Sequence, residues 1–143
     1  RGLMAEKVDR IDMTEADLLK VISKEPDNAN ALNALGYTLA DETTRYEEAF
    51  ELISKAYALM PDSAAILDSM GWVHYRRGNL DEAIKFLEKA AAADGDGEIA
   101  AHLGEVYWAK GWRDKAMKVW MDALQSDPEN PFVISTMERL QAK

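Results

Sequence analysis

The side chains best suited to chemistry in this sequence are its two histidines, His74 and His102. His102 has Glu98 four residues before it and Glu105 three after, so a helix would set all three on one face. An imidazole between carboxylates can hold a divalent cation or relay a proton. Histidine and glutamate at that spacing are nonetheless common on ordinary helix surfaces, so no metal site is expected. The stretch DGDGE (94–98) has the acidic look of a calcium loop but lacks its twelve-residue frame and closing bidentate glutamate. It reads as a turn followed by an N-cap at Asp96. No HExxH, GxSxG, phosphate-binding loop or dinucleotide fingerprint occurs, so the residues do not point to an enzyme or to a cofactor.

A denser grouping is DSMGWVHYRRG (68–78), which sets Trp72, His74, Tyr75, Arg76 and Arg77 between two glycines. It is either a binding surface or one helix whose residues serve packing. The choice depends on the element that carries it.

Composition narrows the possible elements. The chain has 143 residues, 48% hydrophobic and 30% charged, which suits one domain with a real core. Alanine, leucine, glutamate, lysine and methionine are abundant and β-branched runs are scarce, so helix is favoured throughout. A net charge of −9 argues against a nucleic-acid partner, because phosphate binding needs a basic footprint. The absence of cysteine excludes disulfides, thiolate zinc sites and thiol catalysis. No apolar run reaches the ~20 residues of a membrane helix, and no signal peptide is present. The chain begins Arg-Gly-Leu, which leads us to expect a piece of a longer protein.

The sequence repeats itself. Residues 30–61, 65–95 and 98–128 align, with Gly36, Gly71 and Gly104 in one column. Ala49, Ala83 and Ala116 form a second column and Ala56, Ala90 and Ala123 a third, while Pro61, Gly95 and Pro128 close the units. Apolar residues recur at helical spacing in each first half (Leu32, Leu35, Leu39; Leu67, Met70, His74; Ala100, Leu103, Tyr107), which puts His74 in the core. Turns are expected at Gly78-Asn79 and Gly111, where a positive φ is easily reached. The second helices carry Leu87 and Trp120 in one bulky core column, and Trp112 packs beside its turn glycine. Small residues at fixed columns let paired helices approach closely, to the short end of ~8–10 Å.

These columns resemble the 34-residue pattern of the tetratricopeptide repeat over most of the chain. The resemblance implies an all-α, right-handed solenoid of helix-turn-helix units. We expect a partial repeat at 1–26, full repeats at 28–61, 63–95 and 97–128, and a capping helix at 130–142 with Asn130 or Asp127 as N-cap. In the partial repeat, Met13–Glu25 reads as a second helix and Leu3–Arg10 as the remains of a first. The middle unit departs from the pattern with Gly95 in place of the closing proline.

In that family the first helices line a concave face. Positions sharing that face are Asn33, Tyr37, Ala40 and Asp41 in the first unit and Asp68, Trp72, Tyr75 and Arg76 in the second. In the third they are Ala101, Glu105, Trp108 and Ala109, with His102 adjacent. The expectation is an aromatic groove of Tyr37, Trp72, Tyr75 and Trp108, edged by Asn33, Asp68, Arg76 and Glu105, that binds a protein or peptide. For Tyr75 and Trp108 a second reading stands beside it, namely packing against the next unit. Trp72 is the better groove candidate because its column holds the polar residues Tyr37 and Glu105. Arg77 is expected in solvent. The clamp of Lys, Asn and Arg by which some family members hold a peptide carboxylate is not recognisable, since Asp68 and Glu105 would repel an anion. A neutral or basic peptide, or a folded partner, fits better.

The carboxyl-terminal half is similar, in LDSMGW and EIAAHLGEV, to the end of bacterial outer-membrane lipoproteins built from these repeats. That resemblance implies a periplasmic, lipid-anchored scaffold bringing a carboxyl-terminal processing protease to its substrates. The alternative is a structural segment that caps the array or mediates self-association into a homo-oligomer.

Overall fold

A computed structural model describes residues 3–142 and consists of helices joined by short turns. In chain order these are α1 (Leu3–Lys24), α2 (Ala29–Glu42), α3 (Tyr46–Leu59), α4 (Ala64–Arg76), α5 (Leu80–Ala93), α6 (Gly97–Lys110), α7 (Arg113–Ser126) and α8 (Pro131–Gln141). The pairs α2/α3, α4/α5 and α6/α7 form three hairpins. Each hairpin stacks on the next through α3 against α4 and α5 against α6, and α2, α4 and α6 lie side by side. No described helix is long and apolar enough to cross a membrane.

The glycine and alanine columns stand at the hairpin contacts. A Cβ on Gly36 would fall 2.5 Å from Ile53 Cγ1, and one on Gly71 would fall 2.5 Å from Leu87 Cγ and 3.0 Å from the Ala83 carbonyl oxygen. Ala49, Ala56, Ala83, Ala90 and Ala116 are completely buried. Between hairpins, Leu35, Leu39 and Ile53 pack with Met70 and Val73. The last hairpin packs Leu103, Val106 and Trp120 against Leu87 and against Val133 of α8.

Helix ends follow local chemistry. Asn28, Ser63, Asp96 and Asn130 each cap a helix by accepting backbone N–H bonds on the side chain. For Asn28 the bond from the Ala31 N–H is 2.9 Å. Asn28→Ala should therefore cost about 1 kcal/mol in urea denaturation, with the slope of the transition unchanged. Gly78 and Gly111 adopt φ of 84° and 91°, which ends α4 and α6 as expected. The turn between α2 and α3 lacks glycine and uses a threonine instead. Thr43 donates its hydroxyl to the Leu39 carbonyl at 2.6 Å and accepts the Arg45 N–H at 3.0 Å.

The amino end corrects an expectation. Residues 3–24 form one unbroken helix of 22 residues rather than two. No glycine or proline interrupts the run at the presumed break near Ile11 and Asp12, so the helix simply propagates. Ile11 is buried, and Leu18 and Ile22 pack on the Leu35/Leu39 cluster of the next hairpin.

Candidate functional site

The first helices α2, α4 and α6 supply the expected residues side by side, yet most of these side chains are spent on one another. Trp72 is only 4% exposed, Glu105 5%, Asp68 7% and His102 8%. The reading of Trp72 as an open groove aromatic is therefore corrected. Its indole Nε1–H donates to Asp41 Oδ1 of α2 at 3.1 Å. Its ring stacks on His102 of α6, with centroids 4.0 Å apart and planes 23° apart. A large amphipathic ring wedged between three helices keeps its polar edge satisfied, which is how tryptophan is buried without penalty.

The other members are linked in the same way. Tyr75 donates its hydroxyl to Glu105 Oε2 at 2.9 Å and lies 4.9 Å from Trp72, ring to ring. Glu105 in turn accepts both guanidinium branches of Arg139, so α8 is docked through an ion pair whose acid is buried. Arg76, expected at the groove edge, turns to Tyr46 of α3, donating to its hydroxyl at 3.2 Å. Trp108 is half-buried beside Trp120, 5.6 Å away, with Arg113 lying 4.1 Å over its ring. Tyr75 thus contacts the first helix of the next unit, whereas these contacts of Trp108 are with α7 of its own unit. His74 is in the core, stacked on Phe86 at 5.6 Å, as its column implied. Arg77, expected in solvent, reaches Glu47 at 2.8 Å and covers the ring of Phe50.

Asn33 and Tyr37 do face an open space. A cleft of about 220 Å³ lies between α2, α4 and the start of α6. Asn33, Ala34 and Tyr37 form one wall, Ala65, Asp68 and Ser69 another, and Asp94, Asp96, Glu98 and Ile99 the third. Asn33 Oδ1 is buried there without a hydrogen-bond partner. No described residue lining the cleft is basic, and four are carboxylates. Burial raises the carboxyl pKa of Glu98, an effect that His102 and the Tyr37 hydroxyl partly offset. Burial, with Asp41, Glu98 and Asp68 close by, pushes the Tyr37 hydroxyl far above its ordinary value, so it stays protonated and serves as a donor. The cleft is thus acidic, narrow and preorganised, suited to an extended neutral or cationic segment. Among the described residues no group of three His, Asp or Glu is placed to hold a metal ion.

Tyr46 and Arg139 are the participants that sequence reasoning did not name, and Asp41 and Glu98 were placed only on helix faces, without these partners. A signal for them exists. Trp72–Asp41, Tyr75–Glu105, Arg76–Tyr46, Asp68–His102 and Glu105–Arg139 are all 30 to 34 residues apart, one repeat length. Searching for donors and acceptors about one repeat apart would have found these five pairs, though not the contacts of Tyr37 with Glu98 and His102, which are 61 and 65 residues apart.

Stacked helical hairpins, with small residues where the paired helices touch and a row of first helices forming a concave face, define an α-solenoid repeat domain. Models of the tetratricopeptide repeat match residues 27–96 and 97–130, and the chain belongs to that family. Over 105 residues it is 59% identical to the TPR repeat-containing protein PA4667 of Pseudomonas aeruginosa, covering 73% of this chain and 18% of that protein. It is also 28% identical over 103 residues to the TPR repeat-containing protein MJ1428 of Methanocaldococcus jannaschii, covering 72% of this chain and again 18% of the relative. The chain thus spans less than a fifth of the length of these relatives. Among solved structures, TTC0263 of Thermus thermophilus superposes with a TM-score of 0.77 at 21% identity, over 95% of this chain and 74% of that one. MamA superposes with a TM-score of 0.71 at 22% identity, over 98% and 83%. At these identities the likeness is one of fold.

Proposed function

We propose that the protein is a non-catalytic scaffold whose concave cleft receives an extended, neutral or basic segment of a partner protein. The observation that carries this reading is the acidic cleft between α2, α4 and α6. A lysine, arginine or backbone amide entering there would meet Asp94, Asp96 and Glu98. The lining carboxylates repel a peptide's terminal carboxylate, so the partner's carboxyl end is not what binds.

In its sharper form, the scaffold is a periplasmic adaptor, lipid-anchored in the outer membrane, that brings a carboxyl-terminal processing protease and its substrates together. The similarity of LDSMGW and EIAAHLGEV to the end of such lipoproteins supports this form. The test combines co-elution of the full-length protein with the processing protease and a cleavage assay on a protease substrate. Co-elution with at least several-fold faster cleavage is expected. Unchanged cleavage at saturating protein would rule the adaptor role out.

A second reading, self-association, is favoured by a specific feature of α1. Met4, Val8, Met13 and Leu19 are exposed there. Sedimentation velocity across a hundredfold concentration range decides it, and a species that stays monomeric throughout excludes strong self-association.

A further inference from the structure

His102 lies where side chains from the first helices of all three hairpins meet. From α4, Asp68 Oδ1 lies 2.9 Å from its Nδ1 and Trp72 stacks on its ring. From α2, the Tyr37 hydroxyl lies 3.3 Å from its Nε2, and Asp41 contributes a further negative charge. On its own helix, Glu98 faces it through the same Tyr37 hydroxyl, which donates to Glu98 Oε2 at 3.1 Å. Glu105, one turn further along α6, is already neutralised by Arg139 of α8. The imidazole is therefore surrounded by carboxylates and an indole face, with a hydrogen-bond partner in line with each ring nitrogen.

We propose that His102 is a proton-operated latch between the three repeats. Protonated, it donates from Nδ1 to Asp68 and from Nε2 to Tyr37, binding α6 to α4 and α2 at once, while the Tyr37 hydroxyl proton remains committed to Glu98. When the Nε2 proton leaves to solvent, the Nδ1–H bond to Asp68 persists and Nε2 becomes an acceptor. The Tyr37 hydroxyl then turns to Nε2, and Glu98 loses its donor and faces the cleft as a bare carboxylate. Loss of the proton loosens the join between repeats and makes the cleft more negative by one charge. The latch rests on the hydrogen bonds around His102 and does not require the partner-binding reading of the cleft.

The direction of titration agrees with this geometry. Burial opposes the charge on His102, but the bond to Asp68 and the charges of Asp68, Glu98 and Asp41 outweigh it and hold the imidazole above its ordinary value of 6.5. A group whose folded value is raised stabilises fully below the unfolded value, and that stabilisation is lost as pH rises through the folded value. The window therefore opens just above pH 6.5. His74 is shifted the opposite way, by burial and then by Arg77, so the two histidines titrate apart.

The test records the imidazole NMR resonances of the two histidines from pH 5 to 9, alongside urea denaturation over the same range. His74→Gln assigns the resonances. The expected result is one histidine titrating above 6.5 and assigned to His102, with its midpoint falling by about one pH unit in Asp68→Asn. Stability should decline as pH rises above 6.5 in the wild type, and this slope should vanish in His102→Gln. Should His102→Gln fail to fold, the Asp68→Asn shift carries the decision. A His102 midpoint at or below 6.5, or an unchanged midpoint in Asp68→Asn, would overturn the latch, as would a stability slope that persists in a folded His102→Gln.

Discussion

Gly104→Ala is expected to lower the unfolding free energy by about 3 kcal/mol and the melting temperature by about 10 °C. A methyl group at this position of α6 would land on the indole of Trp120, at Nε1, Cε2 and Cδ1. That indole cannot retreat, because Trp120 is fully buried in a cluster with Leu87, Leu103 and Val133. The helices of the last hairpin would have to separate, and Val133 ties α8 into the same cluster. Gly95→Ala is the matching control, since a Cβ there meets no atom within 4 Å, and its effect should stay within about 0.5 kcal/mol. Circular dichroism during urea denaturation reads both. A cost below about 0.5 kcal/mol for Gly104→Ala would mean that α6 and α7 are not in this close contact.

Trp72→Ala should cost more, about 3–5 kcal/mol. It removes a buried ring from the junction of α2, α4 and α6, uncovers one face of His102 and leaves Asp41 without the indole donor. Trp72→Phe keeps much of the packing and loses the N–H, so about 1–2 kcal/mol is expected from the bond and the smaller ring together. A truncation cost under about 1 kcal/mol would restore the open-groove reading of Trp72.

The contrast between these two positions shows what the sequence carried. Gly104 was legible because a missing side chain at a fixed repeat column has only one geometric use, the close approach of paired helices. Trp120 was legible for the complementary reason, since it shares the bulky column with Leu87. Trp72 misled because polar residues at its column, Tyr37 and Glu105, suggest solvent when each unit is considered alone. In the stack, those polar groups meet partners in other units: Tyr37 donates to Glu98 two units on, and Glu105 accepts from Tyr75 and Arg139 about one repeat away. A single-unit helical wheel cannot show a partner that belongs to the next unit. The single α1 helix was missed for a different reason. The repeat pattern demanded a turn near residues 11–12, but local propensity supplied none.

The cleft was legible only in part. Asn33 and Tyr37, assigned to the expected groove, line the cleft. Asp94 and Asp96 were read as a turn and an N-cap, and Asp96 does cap α6. Their second role, as the third wall of the cleft, depends on how the loop between hairpins folds over α2, which no local pattern encodes. The same loop places Glu98 within reach of Tyr37, 61 residues earlier. The acidic balance noted from composition is thereby concentrated at the mouth of the concave face.

The most direct test of a partner-binding cleft is one substitution that fills it without removing any side-chain interaction. Ala34 is exposed on α2 and lines the cleft, so Ala34→Arg adds bulk and positive charge there while leaving a good helix former in place. Glu51→Arg, exposed on the second helix α3, is the control for an added arginine elsewhere. Binding of the processing protease, the partner proposed above, to the full-length protein would be measured by titration calorimetry for the wild type and both variants. Ala34→Arg should weaken binding at least tenfold, with melting unchanged, and Glu51→Arg should bind like the wild type. Wild-type affinity in a folded Ala34→Arg variant would contradict the cleft as the site of contact.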